Sequence, residues 1–172
     1  MATPAANAAA ARIFDRLGIR LERVPGHGCC GAVSHHLGAE DEARAFMRRN
    51  IDAWWPHLEA GAEGVLVTAS GCALMVCEYG ERLADEPDYA EKAARIAASV
   101  RDPVELLEAE PLERLGVRSP SVSVAFYSPC TLQRGAGLGG RVEALLRRLG
   151  FTLAPVAEGH LGCGSAGTYA LL

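Results

Sequence analysis

Five of the six cysteines in this 172-residue chain occur in a duplicated pattern. Residues 12–31 (RIFDRLGIRLERVPGHGCCG) and 144–164 (ALLRRLGFTLAPVAEGHLGCG) align at nine identical positions when one residue is inserted. The identical pairs include His27 with His160 and Cys30 with Cys163. Each copy therefore ends in a Cys-Gly pair, and cysteine is the residue that serves both redox chemistry and soft-metal binding.

The offset between the copies predicts what a complete unit contains. Cys130 lies 32 residues before Gly162, which stands where the first copy has Cys29. Cys72 lies 42 residues after Cys30. A complete unit would hold one cysteine, then Cys-Cys-Gly, then another cysteine. The missing counterparts fall before the first residue and after the last, so we interpret the chain as part of a longer protein, with both units incomplete.

The repeated cysteines are the candidate site for a cofactor or metal. Thiolates are soft ligands that select iron–sulfur clusters or zinc. Each of these residues precedes a predicted helix, whose N-terminal N–H groups favour a thiolate, and adjacent glycines allow a bulky group to approach the backbone. The alternative is that they are small buried apolar residues, but their repeated frame favours a site. The candidate ligands are Cys29, Cys30, Cys72, Cys130 and Cys163.

Three other residues bear on this site. Cys77 is five positions beyond Cys72 on a predicted helix, about 140° around its axis, so the two should not face one ligand. His27 and His160 match across the copies and could ligate a metal or hydrogen-bond a cluster sulfur. The alternative, which we favour, is that each histidine bonds to its own loop backbone.

Composition excludes several classes of protein. A net charge of −4 gives no basic surface for nucleic acid, and no apolar run approaches the ~20 residues of a transmembrane helix. The alanine-rich start lacks the features of a secretory signal. Six cysteines in a chain of this length do not suggest a secreted disulfide scaffold. A cytoplasmic protein with reduced thiols is the expectation.

Hydrophobic patterns predict strands that alternate with helices. The strands are expected at 19–24, 65–68, 122–127 and 151–154, and the helices at 5–17, 39–59, 72–83, 89–100, 140–149 and from 165 onward. Pro56 should kink or end the second helix. This order is typical of an α/β fold with mostly parallel sheets and flanking helices. The cysteines follow the strands, so four loops should converge at one sheet edge.

The repeat also predicts the domain organisation. Residues 101–120 are charged and carry three prolines. We therefore expect a first unit at 1–110, a linker at 111–120 and the start of a second unit at 121–172.

Several segments together resemble a known family. GCCGAVSHHLG, RRNIDAWWP, TASGCALMV, YSPCTLQ, GRVEALLRRLGF and HLGCGSAGTY, in that order, are similar to the cysteine-rich CCG domains of iron–sulfur subunits of 2-hydroxy-acid dehydrogenases, and in particular to the glycolate oxidase (glycolate dehydrogenase) type. The resemblance covers nearly all of the chain.

The resemblance implies an electron-transfer subunit with no catalytic residues of its own. A flavin-containing partner subunit would oxidise glycolate to glyoxylate, and the complex, with its other subunits, would pass electrons towards the quinone pool. The five cysteines would hold an iron–sulfur cluster, with 4Fe–4S as the expected type, or another metal. The expected location is the cytoplasm, peripheral at the inner face of the membrane.

Two alternatives stay open at this stage. The chain could be a thiol–disulfide redox module that cycles through Cys29 and Cys30, or a structural docking domain without metal. Clusters and closed zinc sites normally take four protein ligands, and neither incomplete unit supplies four thiols. We therefore expect substoichiometric metal occupancy, with ligands drawn from both units or from His27 or His160.

Overall fold

The computed structural model describes residues 4–118 and 121–161. These residues form two compact units. The central unit comprises residues 23–101. The terminal unit comprises the described residues of 4–22 and 102–161. The predicted division of the repeat at residues 111–120 concerns sequence copies, not these units, and stays a prediction.

The central unit contains five helices and one pair of short strands among its described residues. In chain order they are α2 (Ala32–His36), α3 (Glu40–Glu59), β1 (Val65–Leu66), α4 (Ser70–Cys77), α5 (Tyr79–Arg82), α6 (Ala90–Ser99) and β2 (Val100–Arg101). The strands β1 and β2 pair in parallel, with Val65 opposite Val100.

The longest helix, α3, forms because its apolar residues recur at helical spacing on one face. Ala43, Met47 and Ile51 are fully buried there. Three acidic residues in its first turn complement the positive end of the helix dipole. The core of the central unit is built around this face, from Met47, Ile51, Leu58, Val76, Tyr79, Leu83, Ile96 and Val100.

The terminal unit is assembled from both ends of the described chain. It contains α1 (Pro4–Leu17), α7 (Pro103–Glu108), a 3-10 turn (Leu112–Leu115), β3 (Ser123–Val124), a π-helical turn (Thr131–Gly135), α8 (Arg141–Arg148) and β4 (Thr152–Leu153). The strands β3 and β4 pair in parallel. Its core consists of Leu17, Val104, Leu112, Leu115, Leu132, Leu138 and Leu145.

The α/β class with parallel sheets and flanking helices is confirmed. Three details differ from expectation. Residues 19–24 form no strand, because among the described residues no neighbouring strand pairs with them. Val100 and Arg101 form β2, although helix had been expected up to residue 100. The sheets are two separate pairs, so the expected single edge shared by four strands is wrong for the described chain.

Two other expectations concern chain segments. Pro56 neither ends α3 nor stops its hydrogen bonding, since the helix continues to Glu59 and Ala60 N–H donates to the Pro56 carbonyl. The helix expected from residue 165 lies outside the described residues.

None of the helices in the described ranges is both long and apolar enough to cross a membrane.

Candidate functional site

Two predicted site residues meet in the central unit. The Cys30 thiol donates a hydrogen bond to the Cys72 sulfur, with 3.2 Å between the two Sγ atoms. Cys30 lies just before α2, and Cys72 lies in the first turn of α4, after β1. A disulfide bond is about 2.05 Å long, so these are two free thiols in contact. The predicted convergence of the two cysteine loops is present, although only one of them follows a strand.

The backbone turns sharply after Cys30 at a glycine. Gly31 has φ +88°, in the left-handed region that favours glycine. A Cβ at this position would lie 2.9 Å from the carbonyl oxygen of Ala43, a fully buried residue of α3. The glycine of the Cys-Cys-Gly motif is therefore required both for the turn and for the close approach of α3.

Two fully buried polar side chains hold the cysteine loop. Asn50 of α3 accepts from Gly28 N–H at 2.8 Å and donates to the Cys29 carbonyl at 2.9 Å. Its amide also donates to the Tyr79 hydroxyl at 3.0 Å, and that hydroxyl donates to the Cys30 carbonyl at 2.9 Å. Both side chains are 0% exposed. No motif in the sequence marks Asn50 or Tyr79, and an asparagine within an apolar helix face is the available signal.

The contact between the thiols separates their acidities. The hydrogen bond from Cys30 stabilises the Cys72 thiolate and lowers the pKa of Cys72 to about 7. The same bond, together with burial, raises the pKa of Cys30 well above its ordinary value. The pair therefore shares one proton above neutral pH, and Cys72 is the thiolate. Burial also raises the pKa of Tyr79, which keeps its hydroxyl as a donor.

The donor set fits a thiophilic metal or cluster in kind. Cys29 adjoins the pair in sequence, and its side chain is exposed. Within residues 4–118 and 121–161, no group of three or more Cys, His, Asp or Glu side chains is arranged to hold a metal ion. Three thiols in one unit are soft ligands of the right chemistry, but they are one fewer than the usual four.

Two of the other three cysteines are exposed in the described chain. Cys130 is exposed, follows β3 and is the N-cap residue just before the π-helical turn of the terminal unit. Cys163 lies outside the described residues. Cys77 is exposed at the end of α4.

His27 and His160, the histidines that match across the copies, were expected to bond to their own loop backbone. His27 Nδ1 lies 2.5 Å from the Val24 carbonyl, which is the favoured backbone interpretation. His160 is exposed, and its carbonyl accepts from Arg134. No described contact places the His27 ring against the Cys30–Cys72 pair.

Comparison with known proteins first gives a similarity to a family of domains. Residues 1–77 match the family model "CCG: Cysteine-rich domain". This range includes Cys29, Cys30 and Cys72, so the paired thiols lie in the part of the chain that is similar to a cysteine-rich CCG domain.

Similarity to individual proteins is more specific than the family match. The chain is 53% identical over 169 residues to the glycolate oxidase iron-sulfur subunit of Escherichia coli K12, covering 98% of this chain and 41% of that protein. It is 27% identical over 165 residues to lactate utilization protein A of Bacillus licheniformis, covering 95% of this chain and 67% of that protein. The resemblance drawn from the sequence is confirmed, and the chain spans less than half the length of the E. coli subunit.

Proposed function

We propose that this chain is an electron-transfer element, the iron–sulfur part of a complex that oxidises glycolate to glyoxylate. The observation that carries the proposal is the Cys30–Cys72 contact, with Cys29 next to it, in a CCG domain. The name of the 53% identical relative supports both the cluster and the substrate.

The proposed ligands are the five repeated cysteines. In the central unit Cys29, Cys30 and Cys72 would hold the group, and Cys130 and Cys163 would do so in the second copy of the repeat. An iron–sulfur cluster, when bound, supplies one-electron transfer. The chain orients two thiols by a buried hydrogen-bond network, lowers the pKa of Cys72 to about 7 and shields Cys30 from water.

The proposed partner is a flavin-containing subunit that carries the glycolate site. Oxidation of glycolate releases two electrons, and the chain described here would pass them on one at a time towards quinone. This role places the protein in the cytoplasm, at the inner face of the membrane, with the other subunits of the complex.

Anaerobic reconstitution with iron and sulfide tests the proposal. We expect bound iron, below one cluster per chain, and visible absorbance that Cys72→Ser reduces to background. Cys77→Ser is the matched control because it removes an exposed thiol from the same helix. Iron content that is the same in wild type and Cys72→Ser would overturn the ligand assignment.

A thiol–disulfide module is the second candidate, and the same contact supports it. The structure favours Cys30 with Cys72 as the cycling pair, rather than the adjacent Cys29 and Cys30, because those two sulfurs meet. Thiol titration before and after reduction distinguishes the candidates: loss of two thiols on mild oxidation, without iron binding, supports the module. If the protein neither binds iron nor forms a disulfide, a docking domain is the remaining function.

A further inference from the structure

The loop that carries Cys29 and Cys30 is fixed by side chains and not by a strand. Residues 19–30 form no helix or strand, so no backbone ladder sets the position of the Cys30 sulfur. Three consecutive residues of the loop instead bond to Asn50 and Tyr79, through one N–H group and two carbonyls. These bonds come from two helices of the central unit, α3 and α5.

The network uses all three of its side-chain donor hydrogens in this loop conformation, two from Asn50 and one from Tyr79. The Asn50 oxygen accepts one N–H, and its amide nitrogen donates to two acceptors. Both side chains are 0% exposed, so a displaced loop would leave buried polar atoms without partners. Apolar contacts at the same positions would tolerate a shift, whereas these directional bonds penalise it.

Tyr79 connects the two thiol-bearing segments. It begins α5, two residues after the end of α4, whose first turn contains Cys72. Its hydroxyl donates to the carbonyl of Cys30 itself. The bond therefore joins the segment that carries one sulfur to the residue that carries the other.

We propose that Asn50 and Tyr79 are positioning residues that set the separation of the Cys30 and Cys72 sulfurs. The proposal rests on the proposed function in taking these thiols as the working groups, and it specifies how the chain presents them as a preformed pair. Neither residue would contact a bound metal, since both act through the backbone of the loop.

The test measures the equilibrium constant for disulfide formation between the Cys30 and Cys72 sulfurs. In a background with Cys29→Ser, Cys77→Ser, Cys130→Ser and Cys163→Ser, the protein is equilibrated anaerobically with glutathione and glutathione disulfide. Formation of the Cys30–Cys72 bond gives two electrons and two protons to glutathione disulfide, which becomes two glutathione molecules. The equilibrium constant is the effective concentration of the thiol pair.

Tyr79→Phe removes one hydroxyl and keeps the ring. We expect the effective concentration to fall about fivefold, the loss of one hydrogen bond of typical net strength. Tyr89→Phe is the matched control, because that hydroxyl bonds at 3.1 Å to Asp52 and not to the loop. Asn50→Ala, which removes the bonds to two loop residues, should lower the effective concentration further.

Each outcome decides the proposal. An unchanged effective concentration in Tyr79→Phe, with a lower urea midpoint, would show a purely structural role and overturn it. A fall of equal size in Tyr89→Phe would also overturn it. If Asn50→Ala does not fold, the two tyrosine variants decide the question. Iron reconstitution is measured separately, so failure to bind iron would refute the proposed function while the positioning result stands on its own.

Discussion

Gly31 is the position where one methyl group should test the architecture of the cysteine site. The Gly31→Ala substitution places a Cβ 2.9 Å from the Ala43 carbonyl oxygen and 3.4 Å from the Ala43 Cα. Ala43 is fully buried within the 20-residue helix α3, so its backbone cannot move aside without disturbing the core. The substituted residue must also keep φ near +88°.

Two costs combine in this variant. Left-handed backbone costs a non-glycine residue about 1–2 kcal/mol. Overpacking against a rigid neighbour costs about 1–3 kcal/mol. We therefore expect Gly31→Ala to lower the free energy of unfolding by about 3 kcal/mol, a large share of the stability of a typical domain.

Gly38→Ala separates these two costs. Gly38 lies just beyond the other end of α2, has φ +78° and has no atom within 4 Å of a built Cβ. This variant should incur the backbone cost alone, about 1–2 kcal/mol. Urea unfolding followed by the fluorescence of Trp54 and Trp55 measures both variants. If both lose the same free energy, the close approach of Ala43 does not constrain the motif and the reasoning is wrong.

Three further predictions follow from the thiol pair, a helix cap and the assigned role. With Cys30 and Cys72 as the only cysteines, the iodoacetamide reaction of metal-free protein should show a midpoint near pH 7, from the lowered pKa of Cys72. Cys30→Ala removes the donor to the thiolate, so the midpoint should rise; a midpoint that stays the same would contradict the hydrogen bond. Asp102→Ala removes the cap that accepts from Val104 N–H, and should lower the free energy of unfolding by about 1 kcal/mol in urea titrations. The purified chain without a partner should give no glycolate-dependent dye reduction, and reduction above a no-protein control would refute its non-catalytic role.

Local patterns in the sequence were sufficient for most helices. The apolar residues of α3 recur at helical spacing, and the structure places this helix at Glu40–Glu59, within one residue of the expected range. Strands were harder, because pairing depends on residues far away in sequence. Val65 pairs with Val100, and the two-residue β2 directly follows a helix, so no local pattern marks it.

At residues 19–24, by contrast, a strand was predicted that the structure does not contain. Ile19 and Leu21 are half-buried and Arg20 and Glu22 are exposed, as the alternating pattern predicted, although Arg23 and Val24 break the alternation. Alternation reports burial, but a strand also needs a partner that supplies its hydrogen bonds. The described chain provides none, so the pattern is present without the sheet.

The cysteine site required two kinds of information. The repeat located the thiols, and the expectation that each precedes a helix is confirmed at Cys30, which lies just before α2. The contact with Cys72 and burial raise the pKa of Cys30, and a bond from the Ala32 backbone offsets part of that rise. Which thiols meet could not be read from the spacing, because Cys72 lies 42 positions after Cys30 and the chain between them forms α2, α3 and β1. The partners of the loop, Asn50 and Tyr79, are single residues in otherwise ordinary helices.

The arrangement of these parts explains why the Cys-Cys-Gly motif can present thiols without a strand before it. Gly31 lets α2 begin against α3, and Asn50 from α3 fixes the backbone on the other side of the cysteines. The Tyr79 hydroxyl then bonds the Cys30 carbonyl to α5, the helix that follows α4, and α4 carries Cys72. Sulfur separation is thus set by two helices and a buried amide, all within the central unit. A metal or cluster bound there would meet a thiol pair that the fold has already formed, so little conformational entropy is lost on binding.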